Sequence, residues 1–171
     1  MNTEWTQTLW SDTFNKTLEE ELDYNNSWVF QFNNSLQDNL STEERRMGWK
    51  ICRHSAYGRF RCGRCSRSWP SAQVTVLFHY RLCSGTAQGT VTMRPFGQAC
   101  RRCTGEFQLP AFSKEEVQKA LRKLVSKIKK NCYGENIDGH SSNPSSEKVF
   151  TKPHESSLCE ACSQGICCVE D

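Results

Sequence analysis

The chain has 171 residues, is 36% hydrophobic, carries a net charge of +3 and contains 11 cysteines. That length suits one domain, or one domain with tails. No run approaches the roughly 18 apolar residues of a membrane span, and Met1 to Leu40 lacks the basic-then-apolar order of a secretory leader, so the sequence reads as that of a soluble, cytoplasmic protein.

Thr3 to Leu22 carries Trp5, Leu9, Phe14, Leu18 and Leu22 at near-helical spacing and reads as an amphipathic helix. Trp28, Phe30 and Phe32 alternate, as in a half-buried strand, and Trp49 with Ile51 suggests another. Gln73 to Tyr80 and Thr90 to Phe96 flank a Ser/Gly/Thr turn and predict a β-hairpin. Ser113 and Glu116 have capping-box spacing. Behind them Val117, Leu121, Leu124, Val125 and Ile128 form one stripe of a basic helix, with Gly134 as its stop. Gly139 to Lys148 is Ser/Asn/Pro-rich, and residues 135–148 read as a flexible loop.

Charge divides the chain. Residues 1–47 carry −6 and residues 48–171 carry +9. Between Glu44 and Glu106 there is no acid, yet there are eleven arginines and Lys50. An anionic partner, a solvated basic face, or packing of one half on the other would each account for this. Residues 1–47 are expected to pack as helix and strand on a core domain of residues 48–168.

Three Cys-x-x-Cys pairs stand at Cys62/Cys65, Cys100/Cys103 and Cys159/Cys162. Without export and with an odd cysteine count, metal is expected rather than disulfides. The 34 residues between Cys65 and Cys100 exceed the ribbon norm of about 15–20 but leave room for the hairpin. Four thiolates from the first two pairs would close a tetrahedral zinc site. Closing that loop costs roughly 3 kcal/mol plus a constant, against on the order of 10–16 kcal/mol from structural zinc. The tail offers His154, Cys159, Cys162 and Cys167 for a second zinc, with Cys132 or Cys168 as substitutes. Two zinc ions per chain are therefore expected. Cys52 and Cys83 have no partner at ligand spacing. Catalytic constellations are missing as well: there is no nucleophile elbow, no His-Glu-x-x-His, no phosphate-binding glycine loop and no deaminase pattern. A non-enzyme is expected.

Gly58-Arg59-Phe60-Arg61-Cys62-x-x-Cys65, Ser68-Trp69-x-Ser71-Ala72-x-Val74-x-Val76-Leu77-Phe78-His79 and Gly89-x-Val91-x-Met93-Arg94-x-Phe96-Gly97-Gln98-x-Cys100-x-x-Cys103 together resemble the three-CxxC zinc-finger domain of the receptor-transporting proteins. The ending His154-x4-Cys159-Glu160-Ala161-Cys162-x-x-Gly165-x-Cys167 is similar to that family's third motif, and Trp5 to Glu21 with Gly48-Trp49-Lys50 resembles its N-terminal part. The resemblance implies an α+β fold: a small zinc-stabilised antiparallel β core, ribbon-like, with the N-terminal helix and the basic C-terminal helix. It implies zinc ligands at Cys62, Cys65, Cys100, Cys103, Cys159 and Cys162, joined by His154 and Cys167.

The resemblance also implies an accessory protein that helps odorant, taste and other G-protein-coupled receptors reach the cell surface, working at the cytosolic face of membranes. The alternative it carries is an interferon-induced antiviral effector binding RNA through its basic surface. For either partner, Arg122, Lys123 and Lys127 are the candidate contacts. Many relatives carry a C-terminal hydrophobic anchor, whereas this sequence ends at Val169-Glu170-Asp171. Membrane association is expected through an anchor outside the sequence or through partners.

Overall fold

In the computed structural model, residues 7–22, 26–83, 85–103, 105–134 and 156–163 are described. Three antiparallel strands form the centre: β2 (Lys50–Arg61), β3 (Ser68–Cys83) and β4 (Gln88–Pro95). The predicted β3–β4 hairpin is present and longer than expected. β1 (Ser27–Phe32) adds to the outer edge of β4, giving the order β1-β4-β3-β2. β1 runs parallel to β4, so the sheet is mixed rather than wholly antiparallel. Gly89 permits that pairing, because a Cβ there would lie 2.2 Å from the Trp28 ring. Trp28 is also held at its far end, donating from Nε1 to the Tyr133 hydroxyl, which in turn donates to Asn26 Oδ1.

Two helices cover one face of the sheet. α1 (Gln7–Glu21) and α3 (Lys114–Cys132) flank a short α2 (Thr42–Arg46) in the chain. α2 carries a full capping box in which Ser41 and Glu44 bond reciprocally. At α3 the Ser113 side chain accepts from the Glu116 N–H, and Gly134 follows with a left-handed φ of 66°. Val117, Ala120, Leu121, Leu124 and Ile128 of α3 pack on Val74, Val76, Phe78, Tyr80, Val91 and Met93 of the sheet. The α1 stripe is centred on Trp10 and Phe14 rather than on Leu9 and Leu18, which are partly buried. Trp10 wins that place because it meets Phe112 edge-on, with ring centroids 5.2 Å apart. Met1 to Thr6, and with them Trp5, lie outside the described residues, as does the expected 135–148 loop.

The opposite face is polar by comparison. Alternation along β3 and β4 puts Thr75, Leu77, His79, Thr92 and Arg94 there, all buried, beneath the 33–49 connection and the tail. Its apolar cluster is small: Leu77, Phe96, Cys159 and Ala161, with Leu36, Ile51 and Cys162 against it. Among the described residues, two ion pairs tie the acidic first 47 residues to the basic remainder. Glu21 meets Lys129 at 3.6 Å, and Asp38 meets Arg53. Among the described residues, no helix is long and apolar enough to cross a membrane.

His79 is the group on this face that should report on pH. It is 4% exposed and its Nε2 has no hydrogen-bond partner. Burial lowers its pKa, against a backbone hydrogen bond with Gln37 and the carboxylates of Glu44 and Asp38, which pull it up. The folded state thus holds the imidazole neutral while the unfolded chain takes up a proton near pH 6.5. Stability contributed by neutral His79 is complete above that pH and is lost as pH falls below it, by at most ~1.4 kcal/mol per pH unit for one proton. In urea titrations of zinc-loaded protein, His79→Gln should show a shallower loss below pH 6.5 than the parent chain. Parallel curves would uncouple His79 from the acid sensitivity.

Candidate metal centre

The two knuckles grow from the ends of the strands. β2 stops at Arg61 and β3 starts at Ser68, so Cys62 to Arg67 must reverse the chain. Cys62 N–H donates to the Arg67 carbonyl at 2.8 Å, Ser66 N–H to the Cys62 carbonyl at 3.0 Å, and Ser66 takes a left-handed φ of 60°. The second knuckle follows β4. Gln98 and Gln108 exchange backbone bonds of 3.1 and 2.7 Å, which fold 107–109 back on 97–99. A Cβ at Gly97 would sit 2.4 Å from the Gln108 carbonyl, so that approach requires glycine. The Gln98 side chain reaches the other way, accepting from Trp69 Nε1 at 3.0 Å and donating to Ser71 Oγ at 2.8 Å. Trp69 in turn stacks on Phe60, with centroids 5.5 Å apart.

This brings Cys62, Cys65, Cys100 and Cys103 together, with all four Sγ atoms within 4.8 Å of one another. Cys62 and Cys100 are buried; Cys65 and Cys103 are half-buried. Cys65 and Cys100 Sγ are 3.8 Å apart. A tetrahedral site with zinc–sulfur bonds of about 2.3 Å requires sulfurs about 3.8 Å apart, so the donor set fits zinc. A cleft of about 360 Å³ opens beside it, lined by the knuckles and by Gly105, Glu106 and Gln108.

The electrostatics of Cys62, Cys100 and Cys103 point the same way. Backbone N–H groups of Cys103 and Arg102 bring the Cys100 thiol down to about 6. The Cys65 and Arg64 N–H groups lower Cys62, with Arg64 N 3.4 Å from its sulfur. Cys103 is pushed up to about 12, first because its proton bonds the Cys65 and Cys62 sulfurs and then by burial. Like charges this close do not all ionise by themselves. A dication removes that conflict and deprotonates the last thiol.

The third Cys-x-x-Cys pair is stitched to the second knuckle. Cys159 bridges to Gln98, Ala99 N–H donates to the Leu158 carbonyl at 2.8 Å, and Glu160 N–H to the Gly97 carbonyl at 3.0 Å. The Glu160 carboxylate accepts the Gly97 N–H at 2.8 Å and meets Arg94 Nη2 at 3.2 Å. Arg94, 7% exposed, also donates to the Leu36 carbonyl and lies over the Phe96 ring. Arg94 and Glu160 thus position the tail. Both stand inside the motifs quoted above, yet a charge pair 66 residues apart leaves no local pattern to find it by.

The other sequence candidates separate. His154, Cys167 and Cys168 lie outside the described residues. Cys132, a substitute ligand on sequence grounds, is corrected by its place. It packs with the helix-side core, while Cys159 and Cys162 belong to the opposite face. Burial raises its thiol, beside the Leu82 backbone and Lys50. Cys52 is a core residue and Cys83 a half-buried strand end. Of the basic trio, Arg122 is exposed, Lys127 is half-buried, and Lys123 donates to the Arg53 carbonyl at 2.9 Å, covering the edge of β2.

Removing one ligand should undo the knuckles. Structural zinc contributes on the order of 10–16 kcal/mol, as much as a whole domain's net stability of roughly 5–15 kcal/mol. Cys100→Ser, or a strong chelator on the parent chain, should abolish the cooperative thermal transition read by near-ultraviolet circular dichroism. An unchanged transition after verified metal loss would make the metal incidental. Glu160→Ala should cost about 1–3 kcal/mol in urea denaturation by leaving the Gly97 N–H and Arg94 without their acceptor. Glu160→Gln, which keeps an acceptor, should lose less, and an unmoved midpoint for both would refute the tethering role.

Residues 55–165 match the zinc-binding domain of the three-CxxC zinc-ribbon family. Human Receptor-transporting protein 4 is 36% identical over 165 residues, 95% of this chain and 64% of its own length. Mouse Receptor-transporting protein 4 is 38% identical over 90% of this chain and 61% of its own length. Mouse Receptor-transporting protein 2 is 30% identical over 97% of this chain and 73% of its own length. The chain thus spans less than two thirds of the length of either Receptor-transporting protein 4. No solved structure matches it. With three Cys-x-x-Cys pairs, two of them closing a four-sulfur cluster, and this likeness running from end to end, the chain belongs to the receptor-transporting protein family.

Proposed function

We propose that this chain is a zinc-dependent accessory protein that binds receptors and promotes their delivery to the cell surface, with no catalytic turnover. The observation that carries the reading is likeness to proteins named receptor-transporting over nine tenths or more of the chain. The site chemistry supports it. Four thiolates fill a tetrahedral zinc and leave no position for water or substrate, so the metal acts as a fastener for a binding surface. G-protein-coupled receptors of the odorant and taste type are the proposed clients, met at the cytosolic face of the membrane. A second zinc on Cys159 and Cys162, with His154 and Cys167, belongs to the same reading. RNA binding is the second reading; the exposed arginines of the two knuckles favour it.

The test is surface display of a panel of co-expressed G-protein-coupled receptors, read by flow cytometry. The parent chain should raise it and Cys100→Ser should not. Metal analysis of purified chain should give two zinc ions, reduced by Cys159→Ser with Cys162→Ser. No change in display for any client, with tight salt-sensitive RNA binding instead, would replace the receptor reading with the RNA one.

A further inference from the structure

Gathering four sulfurs gathers what lies between them. Arg64 stands between Cys62 and Cys65, and Arg101 and Arg102 between Cys100 and Cys103. With the cysteines turned inward, these three arginines are exposed, as is Arg61, while Arg59 and Arg67 are half-buried. The knuckle end, Gly58–Trp69 with Gly97–Ala111, holds these six arginines against one acid, Glu106. Its net charge of +5 exceeds the +3 of the whole chain, so the rest of the molecule is net negative. Helix α3 carries a second +5, seven basic residues against Glu115 and Glu116, so the knuckle end is one of two basic regions and the one that also holds Phe107 and Leu109.

The same end exposes apolar surface. Phe107 is 42% and Leu109 37% exposed, two of the four large exposed apolar side chains among the described residues. They flank Gln108, whose backbone is pinned to Gln98, and in an extended segment they share the side that Gln108 does not. Neither lines the cleft between the knuckles. They lie on a segment fixed on either side by the Gln98–Gln108 and Arg59–Ala111 bridges.

We propose that the knuckle end docks on an anionic lipid bilayer, with the arginines on headgroup phosphates and with Phe107 and Leu109 in the acyl boundary. Each basic residue near an anionic leaflet contributes roughly fivefold in affinity, and interfacial anchoring adds the burial of apolar side chains. Nucleic acid would use the arginines, and Phe107 could stack on a base, but Leu109 has no π-face to offer. A receptor peptide would need apolar side chains to line a groove, and Phe107 and Leu109 stand outside the cleft between the knuckles. The docking does not depend on the receptor reading, because it needs only lipid.

The test is sedimentation of zinc-loaded chain with vesicles. The probe is phosphatidylcholine containing roughly a third phosphatidylserine, against phosphatidylcholine alone, at low and high salt. Binding should require phosphatidylserine and weaken with salt. Arg101→Gln with Arg102→Gln should reduce affinity by about 30-fold. Phe107→Ser with Leu109→Ser should reduce it by at least about tenfold, with zinc content and circular dichroism unchanged in both. No binding to the mixed vesicles, or binding that either pair leaves untouched, overturns the proposal. So does binding to a single-stranded oligoribonucleotide that falls with the arginine pair, ignores the Phe107/Leu109 pair, and occurs without vesicle binding.

Discussion

Convergence of four cysteine sulfurs on one point is the constraint that the rest of this molecule serves. β2 and β3 are paired to their ends at Arg61 and Ser68, but β4 stops at Pro95 opposite Val76, so the strand ladder does not itself join the two ends from which the knuckles grow. The two knuckles close them, and the sulfur geometry suits a zinc ion with no spare coordination position. The supporting contacts are directed at the same place. Gln98 is bonded on one side to Gln108 and on the other to Trp69 and Ser71, so the backbone entering Cys100 is braced from both directions. A thiolate cluster needs such bracing, because its own charges repel until a cation arrives.

The charge asymmetry of the chain has two structural outcomes. Part of it is internal: Glu21 and Asp38 from the acidic segment reach Lys129 and Arg53 of the basic one, and Lys123 is fixed to a strand edge. What is left over is shared between the basic helix, where Lys114, Arg122 and Lys130 stay exposed, and the knuckles. There the arginines stand between metal-directed cysteines and turn outward. The same folding event that closes the centre displays the charge.

The sheet is built with unlike faces. The helix side is a conventional apolar core, from Trp10 and Phe14 to Ile128. The other side buries Thr75, His79, Thr92 and Arg94 beneath connections and tail. Its order depends on specific bonds more than on area: Arg94 to Leu36 and Glu160, Glu160 to Gly97, Cys159 beside Gln98. Polar burial of this kind favours one arrangement only when its partners are in place, which makes the third Cys-x-x-Cys pair the closing element of this face.

Much of this was written locally. Two residues between cysteines force both sulfurs inward, so the first four metal-directed residues were legible from spacing, and the hairpin between them from its β-branched run. Ser113 announced α3, and a stripe at helical period announced which side it buries. The alternation of Trp28, Phe30 and Phe32 gave a strand, but not its neighbour. That β1 pairs in parallel with β4 depends on Gly89 leaving room for an indole 61 residues away, and no short-range pattern encodes such a fit. The α1 stripe holds Phe14 and Leu22 of the buried face but not Trp10, which is placed there by Phe112, far along the chain. Cys132 kept open a role beside Cys159 until the sheet came between them. Sequence determines which side chains turn together over a few residues, because backbone geometry is local. Which distant groups meet is settled by packing across the sheet, and that decision belongs to the tertiary structure alone.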